Sequence, residues 1–179
     1  VDRAEFARYV VQSPADKTRI RVSYGEGGEL AGYVAVHAFR RTFRGEQCTV
    51  TRAEAGLRRR YRGDGAMATF VLSQLLKTQW DYEGAHYYLG CLVHPSSYAF
   101  IARGVDPLWP APGVEIPADL HAFMLELADS FHLEVIDPAR PLVRRVGWIT
   151  RDTEVERRYW QSTDHKAPRY FIEQNPGYG

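Results

Sequence analysis

The sequence predicts an α/β fold of the α+β type, with a mixed, mostly antiparallel central sheet flanked by helices. Three observations lead to this fold class. The first third of the chain alternates apolar and polar residues in short runs, as strands do. A long segment with apolar residues at helical spacing follows, and strand-like and helix-like segments then alternate to the end. A length of 179 residues suits one domain, so residues 1–179 are expected to form a single unit.

A short helix and three strands are predicted over the first third. Phe6, Tyr9 and Val10 recur at helical spacing, which indicates a helix over Asp2–Val11. Glycine-containing breaks at residues 25–28 and 44–46 separate the β-like runs that follow. These runs are Thr18–Tyr24, Leu30–Phe39 or beyond, and Cys48–Leu57. Consecutive strands joined this closely are most simply antiparallel.

A helix, a strand and a second, short helix are predicted over the middle of the chain. Met67–Trp80 contains neither Gly nor Pro and carries apolar residues on one face, which indicates about four helical turns. His86–Val93 is apolar and aromatic and is predicted as a strand. His94-Pro95-Ser96-Ser97 is typical of a helix start, with a serine able to cap it, and this helix is expected to stop at Gly104.

The last third begins with a proline-rich insert at about residues 105–117. It is expected to be an ordered loop, because Leu108 and Trp109 need cover from solvent. An extended C-terminal region of helices and strands follows. Helices are predicted at Ala118–Phe131 and Thr153–Gln161, and strands at Leu133–Ile136, Val143–Ile149 and Tyr170–Glu173.

Charge and cysteine usage argue against several classes of function. The net charge of +1 gives no overall field toward nucleic acid or a membrane, so neither is expected as a partner. Cys48 and Cys91 have no CxxC spacing and lie in apolar runs, which indicates buried thiols rather than a zinc site or a disulfide. No group of His, Cys, Asp and Glu has metal-ligand spacing, so no metal is expected. Without a signal peptide or a long apolar stretch, the expected location is the cytoplasm.

Arg62-Gly63-Asp64-Gly65 lies between a predicted strand and a predicted helix, which is typical of an anion-binding turn. Glycines allow the backbone to approach a ligand closely, and the first N–H groups of the helix point outward at the positive end of its dipole. Arginines at positions 58, 59, 60 and 62 add bidentate donors. A purely structural glycine turn is the main alternative. A cell-adhesion tripeptide and a nucleic-acid patch are disfavoured by the missing secretion signal and the low net charge.

The same segment resembles the (Gln/Arg)-x-x-Gly-x-(Gly/Ala) motif of the GNAT acyltransferases, with Arg62-Gly63-Asp64-Gly65-Ala66-Met67 as the match. In that family the motif lies between the fourth strand and a helix and holds the pyrophosphate of an acyl-CoA. The order of elements over roughly the first 105 residues is also similar. The resemblance implies a GNAT-like sheet, with acetyl-CoA or another acyl-CoA as the donor substrate. The donor-binding residues that it implies are Leu57, Arg58, Arg59, Arg62, Gly63, Asp64, Gly65, Ala66, Met67 and Ser97.

Two positions depart from the family pattern. Met67 stands where the family usually has Gly or Ala, which alters how closely the backbone can approach the phosphates. Many members also carry a Tyr partway along the short helix, where it protonates the leaving thiolate. The nearest positions here are Ile101 and Ala102, so the usual acid is missing.

Acyl transfer to an amine requires a base, donors for the oxyanion and departure of the thiolate. The resemblance assigns the oxyanion donor to the backbone N–H near Leu57. It also places a carboxylate base on the same strand, and Glu54 fits that role. The alternative for Glu54 is a solvent-facing side chain paired with Arg52 or Arg41.

Five further side chains have a catalytic or binding interpretation. His94 ends a predicted strand and is either an acid or base or a residue bonded to the backbone. Tyr98 either replaces the missing acid or packs. Ser96 and Ser97 either bond the pantetheine arm of the donor or cap the short helix, and His37 faces either the acceptor groove or the outer surface.

The expected function is therefore acyl-CoA-dependent transfer of an acetyl or longer acyl group directly to an amine. Direct transfer is favoured over a cysteine-bound intermediate because both cysteines are expected to be buried. The acceptor class is a small-molecule or peptide amine. An acyl-carrier-protein donor, a non-catalytic binding module on the same fold and a homodimeric state stay open as alternatives.

Overall fold

The structure is a computed structural model that describes residues 3–62, 66–147, 151–175 and 177–178. The chain forms two compact units, Val1–Gly90 and Cys91–Gly179. The expectation of a single domain over residues 1–179 stays a prediction. Gly63, Asp64 and Gly65 of the anion-binding turn lie outside the described residues.

A four-stranded sheet forms the centre of the N-terminal unit. Its strands are β1 (Lys17–Tyr24), β2 (Leu30–Phe43), β3 (Glu46–Leu57) and β4 (Ala85–Tyr88), in the order β1-β2-β3-β4. The pairs β1–β2 and β2–β3 are antiparallel, whereas β3–β4 is parallel. The predicted fold class, an α+β fold with a mixed, mostly antiparallel sheet, is confirmed.

Both faces of this sheet are covered, which explains the continuous burial of β2 from Val34 to Phe39. On one face, an N-terminal α1 helix (Arg3–Phe6), extended by a π-helical turn over Ala7–Val11, packs Phe6 against Tyr33. The other face is covered by α2 (Ala66–Asp81), which packs against β2 and β3. The predicted helices at both places are confirmed, the first with a π-helical second half.

The strand predicted over His86–Val93 is shorter in the structure, because β4 ends at Tyr88. Its parallel ladder with β3 extends only from Cys48 to Thr51, and one further bond joins the Leu89 N–H to the Thr51 carbonyl. The residue that follows is a glycine, which weakens a strand. Apolar alternation continues past this point in the sequence, but backbone pairing with β3 does not.

The C-terminal unit is mainly helical. Its helices are α3 (Pro95–Ala102), α4 (Ala118–Ser130), α5 (Glu154–Gln161) and α6 (Lys166–Gln174). Two short strands, β5 (Glu134–Val135) and β6 (Arg144–Arg145), form an antiparallel pair. Helix α3 packs on α6 through the buried Tyr98, whose ring lies 5.6 Å from that of Tyr170. The insert at 105–117 contains no helix or strand among the elements described, and Leu108 and Trp109 within it are half-buried.

Two predictions for this unit are wrong. Tyr170–Glu173 was expected to be a strand but belongs to α6. Pro168 and Phe171 are both buried and lie three residues apart, so they share one face of a helix. The strands predicted at Leu133–Ile136 and Val143–Ile149 are reduced to β5 and β6, and residues 148 and 149 lie outside the described residues.

Candidate functional site

The ladder between β3 and β4 ends at Thr51, so among the residues described in the N-terminal unit β4 leaves one edge of β3 open beyond that point. Strand β3 pairs with β2 over all of Glu46–Leu57, but with β4 only from Cys48 to Thr51. The Thr51 carbonyl accepts from Leu89, so the backbone groups of Thr51 point toward β4. Backbone groups alternate in direction along a strand, so those of Ala53, Ala55 and Leu57 point the same way. Among the residues described, the β4 ladder does not reach them.

Arg58, the first residue after β3, follows the same alternation. The Arg58 N–H donates to the carbonyl of Ala31 at 2.9 Å, on the β2 side of β3. The N–H of Leu57 therefore points to the opposite, open side. This is the backbone donor that the sequence predicted for the oxyanion.

Glu54 forms a hydrogen bond with His37 across the neighbouring strand. The distance from His37 Nε2 to Glu54 Oε1 is 2.8 Å. In the β2–β3 register His37 lies opposite Arg52 and Ala35 opposite Glu54, so the two side chains are diagonal neighbours on one face. The His37 side chain is 4% exposed and that of Glu54 is 16% exposed. The carboxylate is therefore held at the border between the core and solvent.

A third strand fixes the other nitrogen of His37. Thr18, opposite His37 in the β1–β2 register, has its hydroxyl oxygen 2.9 Å from Nδ1. A carboxylate only accepts hydrogen bonds, so with Glu54 ionised Nε2 is the donor, and Nδ1 bonds the Thr18 hydroxyl. We refer to these three residues as the Thr18–His37–Glu54 chain. It holds the imidazole ring in one orientation between β1 and β3.

Tyr33 lies on the same face of the sheet as the Thr18–His37–Glu54 chain. The pKa of Tyr33 is raised to about 12, mainly by burial and also by the negative charge of Glu54 and by the neighbouring Tyr9. Arg52 donates to the hydroxyl of Tyr9. Arg52 is therefore bonded to the N-terminal segment, and the partner of Glu54 is His37 rather than Arg52 or Arg41.

The arginine-rich segment after β3 is exposed. Residues 59–61 form a 3₁₀ turn in which Arg60 donates to Glu29 at 2.7 Å and the Tyr61 hydroxyl bonds the same carboxylate. Arg62 approaches the Leu57 carbonyl with its Nε at 3.4 Å. The segment thus connects the open end of β3 to the start of α2. The glycines predicted to complete the turn lie in the part of the chain that the structure does not describe.

A second polar cluster lies in the C-terminal unit around His94, which is the N-cap of α3. His94 Nδ1 lies 2.6 Å from Ser96 Oγ and also accepts from the Ser96 N–H at 3.1 Å. His94 Nε2 lies 3.1 Å from Oδ2 of Asp152, which accepts from the Tyr178 hydroxyl at 2.8 Å. We call these four residues the His94 cluster. The cap is thus His94 itself, whereas the sequence predicted a serine.

Two other predicted site residues belong to α3. Tyr98 is buried, and its hydroxyl donates to the Pro110 carbonyl at 3.0 Å. Burial raises the pKa of Tyr98 to about 12, with a further contribution from Tyr170. Ser97 is exposed in the first turn of α3, and its N–H donates to the His94 carbonyl.

The two cysteines differ in exposure. Cys48 is buried, and burial raises the pKa of its thiol. Cys91 is half-buried, although its apolar surroundings in the sequence predicted full burial, and neither cysteine forms a disulfide. In the described ranges, no group of three or more His, Cys, Asp or Glu side chains is arranged to hold a metal ion. None of the helices described there has both the length and the apolar character needed to cross a membrane.

No protein-family model matches this sequence, and no curated protein does. Solved structures do resemble it. Its structural neighbours include acetyltransferases. A ribosomal-protein-alanine N-acetyltransferase from Brucella melitensis biovar Abortus 2308 is 12% identical, with a TM-score of 0.43 over 63% of this chain and 76% of that one. A putative acetyl transferase from Pyrococcus furiosus is 16% identical, with a TM-score of 0.41 over 60% and 69%. An aminoglycoside acetyltransferase from an uncultured soil metagenomic sample, in complex with sisomicin, is 9% identical, with a TM-score of 0.41 over 65% and 74%. Identities this low do not specify a substrate.

Proposed function

We propose that the chain is an acyl-CoA-dependent N-acyltransferase that transfers its acyl group directly to an amine. The observation that carries this proposal is the open edge of β3 beyond Thr51, with Glu54 held beside it by His37. The pantetheine arm of a coenzyme A thioester is extended and contains amide groups. Such an arm can pair with the exposed backbone of a strand as a further strand does.

The arginine-rich segment supports coenzyme A as the donor. Arg58, Arg59 and Arg62 are exposed between the end of β3 and the start of α2. Guanidinium groups bind phosphate oxygens bidentately, and the start of a helix adds outward-pointing N–H groups. The predicted donor-binding set at this place continues through Gly63, Asp64, Gly65, Ala66 and Met67.

The proposed chemistry uses the backbone of Leu57 and the carboxylate of Glu54. The Leu57 N–H donates to the thioester oxygen, which becomes negatively charged as the amine attacks. Glu54 Oε1 is bonded to His37, so Oε2 accepts a proton from the amine, directly or through water. The carbon–sulfur bond then breaks, an amide forms, and coenzyme A leaves as its thiolate.

The side chains predicted to protonate the thiolate are not needed in this scheme. Tyr98 has a pKa of about 12, raised mainly by burial, and its hydroxyl already donates to Pro110, so it is a poor proton donor at neutral pH. Both ring nitrogens of His94 are engaged within the His94 cluster.

Donor binding is tested separately from catalysis. Coenzyme A at millimolar concentration should raise the thermal unfolding temperature, because a ligand that binds only the folded state stabilises it. Replacing Arg58 and Arg62 by Ala should remove most of this shift. Replacing Arg60, which is bound to Glu29, should have a smaller effect. Absence of any shift with coenzyme A or acetyl-CoA would exclude the proposed donor.

Catalysis is tested by following thiol release from acetyl-CoA with a panel of amines. Glu54→Gln should lower kcat by about 10²-fold or more, the range for loss of a general base, while leaving the thermal shift with coenzyme A intact. Glu46→Gln is the matched control, since Glu46 is an exposed residue at the far end of β3. Equal turnover by the Glu54→Gln variant and the wild type would remove Glu54 from the mechanism.

A further inference from the structure

Three features of the His94 cluster are those of an activated nucleophile. The hydroxyl oxygen of Ser96 lies 2.6 Å from His94 Nδ1, within the range for proton transfer. The other ring nitrogen lies 3.1 Å from Asp152 Oδ2. Asp152 is in turn held by the Tyr178 hydroxyl at 2.8 Å. A nucleophile, a base in contact with it and a third group that orients the base are the arrangement that activates serine in hydrolases of unrelated folds.

Exposure to solvent decreases from the nucleophile to the base and then to the carboxylate that orients the base. Ser96 is exposed, the His94 side chain is 14% exposed and the Asp152 side chain is 8% exposed. The Ser96 residue is therefore exposed to solvent, whereas the base and the carboxylate are largely protected. Trp160 and Tyr178 contact the imidazole edge-on, with ring centroids 5.5 and 5.8 Å away, and restrict its rotation.

The tautomer of His94 is also the one that a base needs. Asp152 as a carboxylate only accepts, so Nε2 carries the proton, and the Nδ1 lone pair accepts from the Ser96 N–H and also faces the Ser96 hydroxyl at 2.6 Å. Burial and the bond to Asp152 raise the pKa of Tyr178, so it stays protonated and donates to the carboxylate. Tyr178 also lies near the charges of Arg157 and Glu156.

Helix capping alone does not account for this arrangement. A cap needs one acceptor for a backbone N–H, and the bond from the Ser96 N–H to Nδ1 supplies it. It does not need a carboxylate on the far side of the ring, and serine, threonine, aspartate and asparagine are the preferred residues at this position. The Asp152 contact and the Ser96 hydroxyl contact are additional to the cap.

We propose that Ser96 is a nucleophile that accepts an acyl group from activated esters or thioesters, with His94 as its base and Asp152 as the residue that orients the base. Ser96 Oγ forms a bond to the acyl carbon while its proton moves to Nδ1 of His94. The carbon–oxygen or carbon–sulfur bond to the leaving group breaks, and the leaving group takes that proton. Water then hydrolyses the Ser96 ester with His94 acting again as base. The site lies wholly in the C-terminal unit and does not depend on the proposed acyltransferase function.

A fluorophosphonate probe tests this assignment without coenzyme A or an amine. The full chain should gain the mass of one phosphonyl group, and peptide mapping should locate the adduct on Ser96. Ser96→Ala should abolish labelling. Ser162→Ala is the matched control, because Ser162 is an exposed serine at the end of α5 whose hydroxyl bonds only to a backbone carbonyl among the contacts described. It should be labelled like the wild type.

Two further measurements separate a reactive serine from a structural cap. Asp152→Asn should slow labelling by about 10²-fold or more, because the imidazole loses the group that fixes its tautomer. In the wild type, labelling should slow toward acidic pH, where a doubly protonated ring cannot accept the Ser96 proton. The pH measurement needs no variant, so it stands even if Asp152→Asn fails to fold. No adduct above that of Ser96→Ala, an adduct on another residue, or a labelling rate independent of both pH and Asp152 would overturn the proposal.

Discussion

At the scale of single residues, the buried His37 ring depends on one hydroxyl group, that of Thr18, for the hydrogen bond at Nδ1. The Thr18 hydroxyl is the partner of Nδ1, and Nε2 bonds Glu54. If the hydroxyl is lost, Nδ1 is left without that partner in a side chain that is 4% exposed. A polar atom left unpaired in the core costs more than the bond itself contributes when intact.

Thr18→Val is therefore expected to lower the free energy of unfolding by about 1–2 kcal/mol, because the shape is retained and the buried ring nitrogen loses its hydrogen-bond partner. Urea denaturation at neutral pH measures the change. Thr42→Val is the control, since Thr42 is exposed at the end of β2 and should change stability by less than about 0.5 kcal/mol. Equal stabilities of the two variants would mean that the Thr18 hydroxyl does not satisfy the ring.

Gly32 shows a second single-residue requirement, at the point where β2 meets the end of β3. A Cβ at this position would lie 2.4 Å from the Gly56 carbonyl oxygen and 3.0 Å from Leu57 Cα. Both are backbone atoms, so they can move only by displacing β3. Gly32 therefore permits the close contact of the two strands beside Leu57.

Gly32→Ala is expected to destabilise the protein by about 1–3 kcal/mol, as overpacking of a tightly fitted site does. The thermal unfolding temperature measures it. Gly104→Ala is the matched control, because a Cβ there would meet nothing within 4 Å. A Gly32→Ala variant as stable as Gly104→Ala would show that β3 can shift without cost.

At the scale of elements, the N-terminal strands and α2 could be predicted because local patterns determine them. The segment 170–173 was predicted incorrectly because its Tyr, Phe and Ile residues favour a strand when the short segment is considered without its tertiary contacts. Helix α6 forms instead since its Pro168 and Phe171 face is buried, and α3 packs on the same helix. This is tertiary packing, which a four-residue window cannot contain.

The same distinction, between local pattern and tertiary contact, holds for the site residues. Glu54 and Leu57 were chosen from the family resemblance and their place on one strand, and their roles stay predictions. The partner of Glu54 could not be predicted, since His37 lies 17 residues away and only the β2–β3 register brings the two together. Asp152 is 58 residues from His94, and no spacing rule connects them.

Helix α5 offers a test of local stabilisation. Thr153 accepts from the Glu156 N–H, and the Glu156 carboxylate accepts from the Thr153 N–H, which forms a capping box. Thr153→Ala should lower the free energy of unfolding by about 1 kcal/mol, the usual cost of losing such a cap. Chemical denaturation measures it. Ser162→Ala at the other end of α5 should cost less, and the reverse order would contradict the importance of the box.

At the scale of the whole molecule, Tyr33 and Tyr98 couple folding to alkaline pH. Burial is the main cause of the raised pKa, about 12, of each hydroxyl. In the unfolded chain a tyrosine ionises near pH 10. Between about pH 10 and 12 the unfolded state therefore holds fewer protons than the folded state, and stability falls as the pH rises.

Unfolding midpoints measured from pH 8 to 12 should thus decrease most steeply above about pH 10, with a smaller decrease below it from the Cys48 thiol, whose pKa is also raised by burial. Tyr98→Phe should lessen the decrease, although it removes the hydroxyl bond to Pro110 and so lowers stability at pH 8. A tyrosinate absorbance titration of the folded protein gives an independent check. Full ionisation of all tyrosines by pH 10.5 would contradict the pKa values of Tyr33 and Tyr98.

The open edge of β3 also has a consequence for self-association. A strand with unpaired backbone groups can add a strand from another molecule, and small side chains such as Ala53, Ala55 and Gly56 offer little steric protection. None of the residues from Arg52 to Leu57 is a lysine or proline, the residues that usually guard such edges. A ligand lying along this edge would therefore also act as a gatekeeper against aggregation, and an empty edge would leave the protein prone to strand-to-strand association between copies.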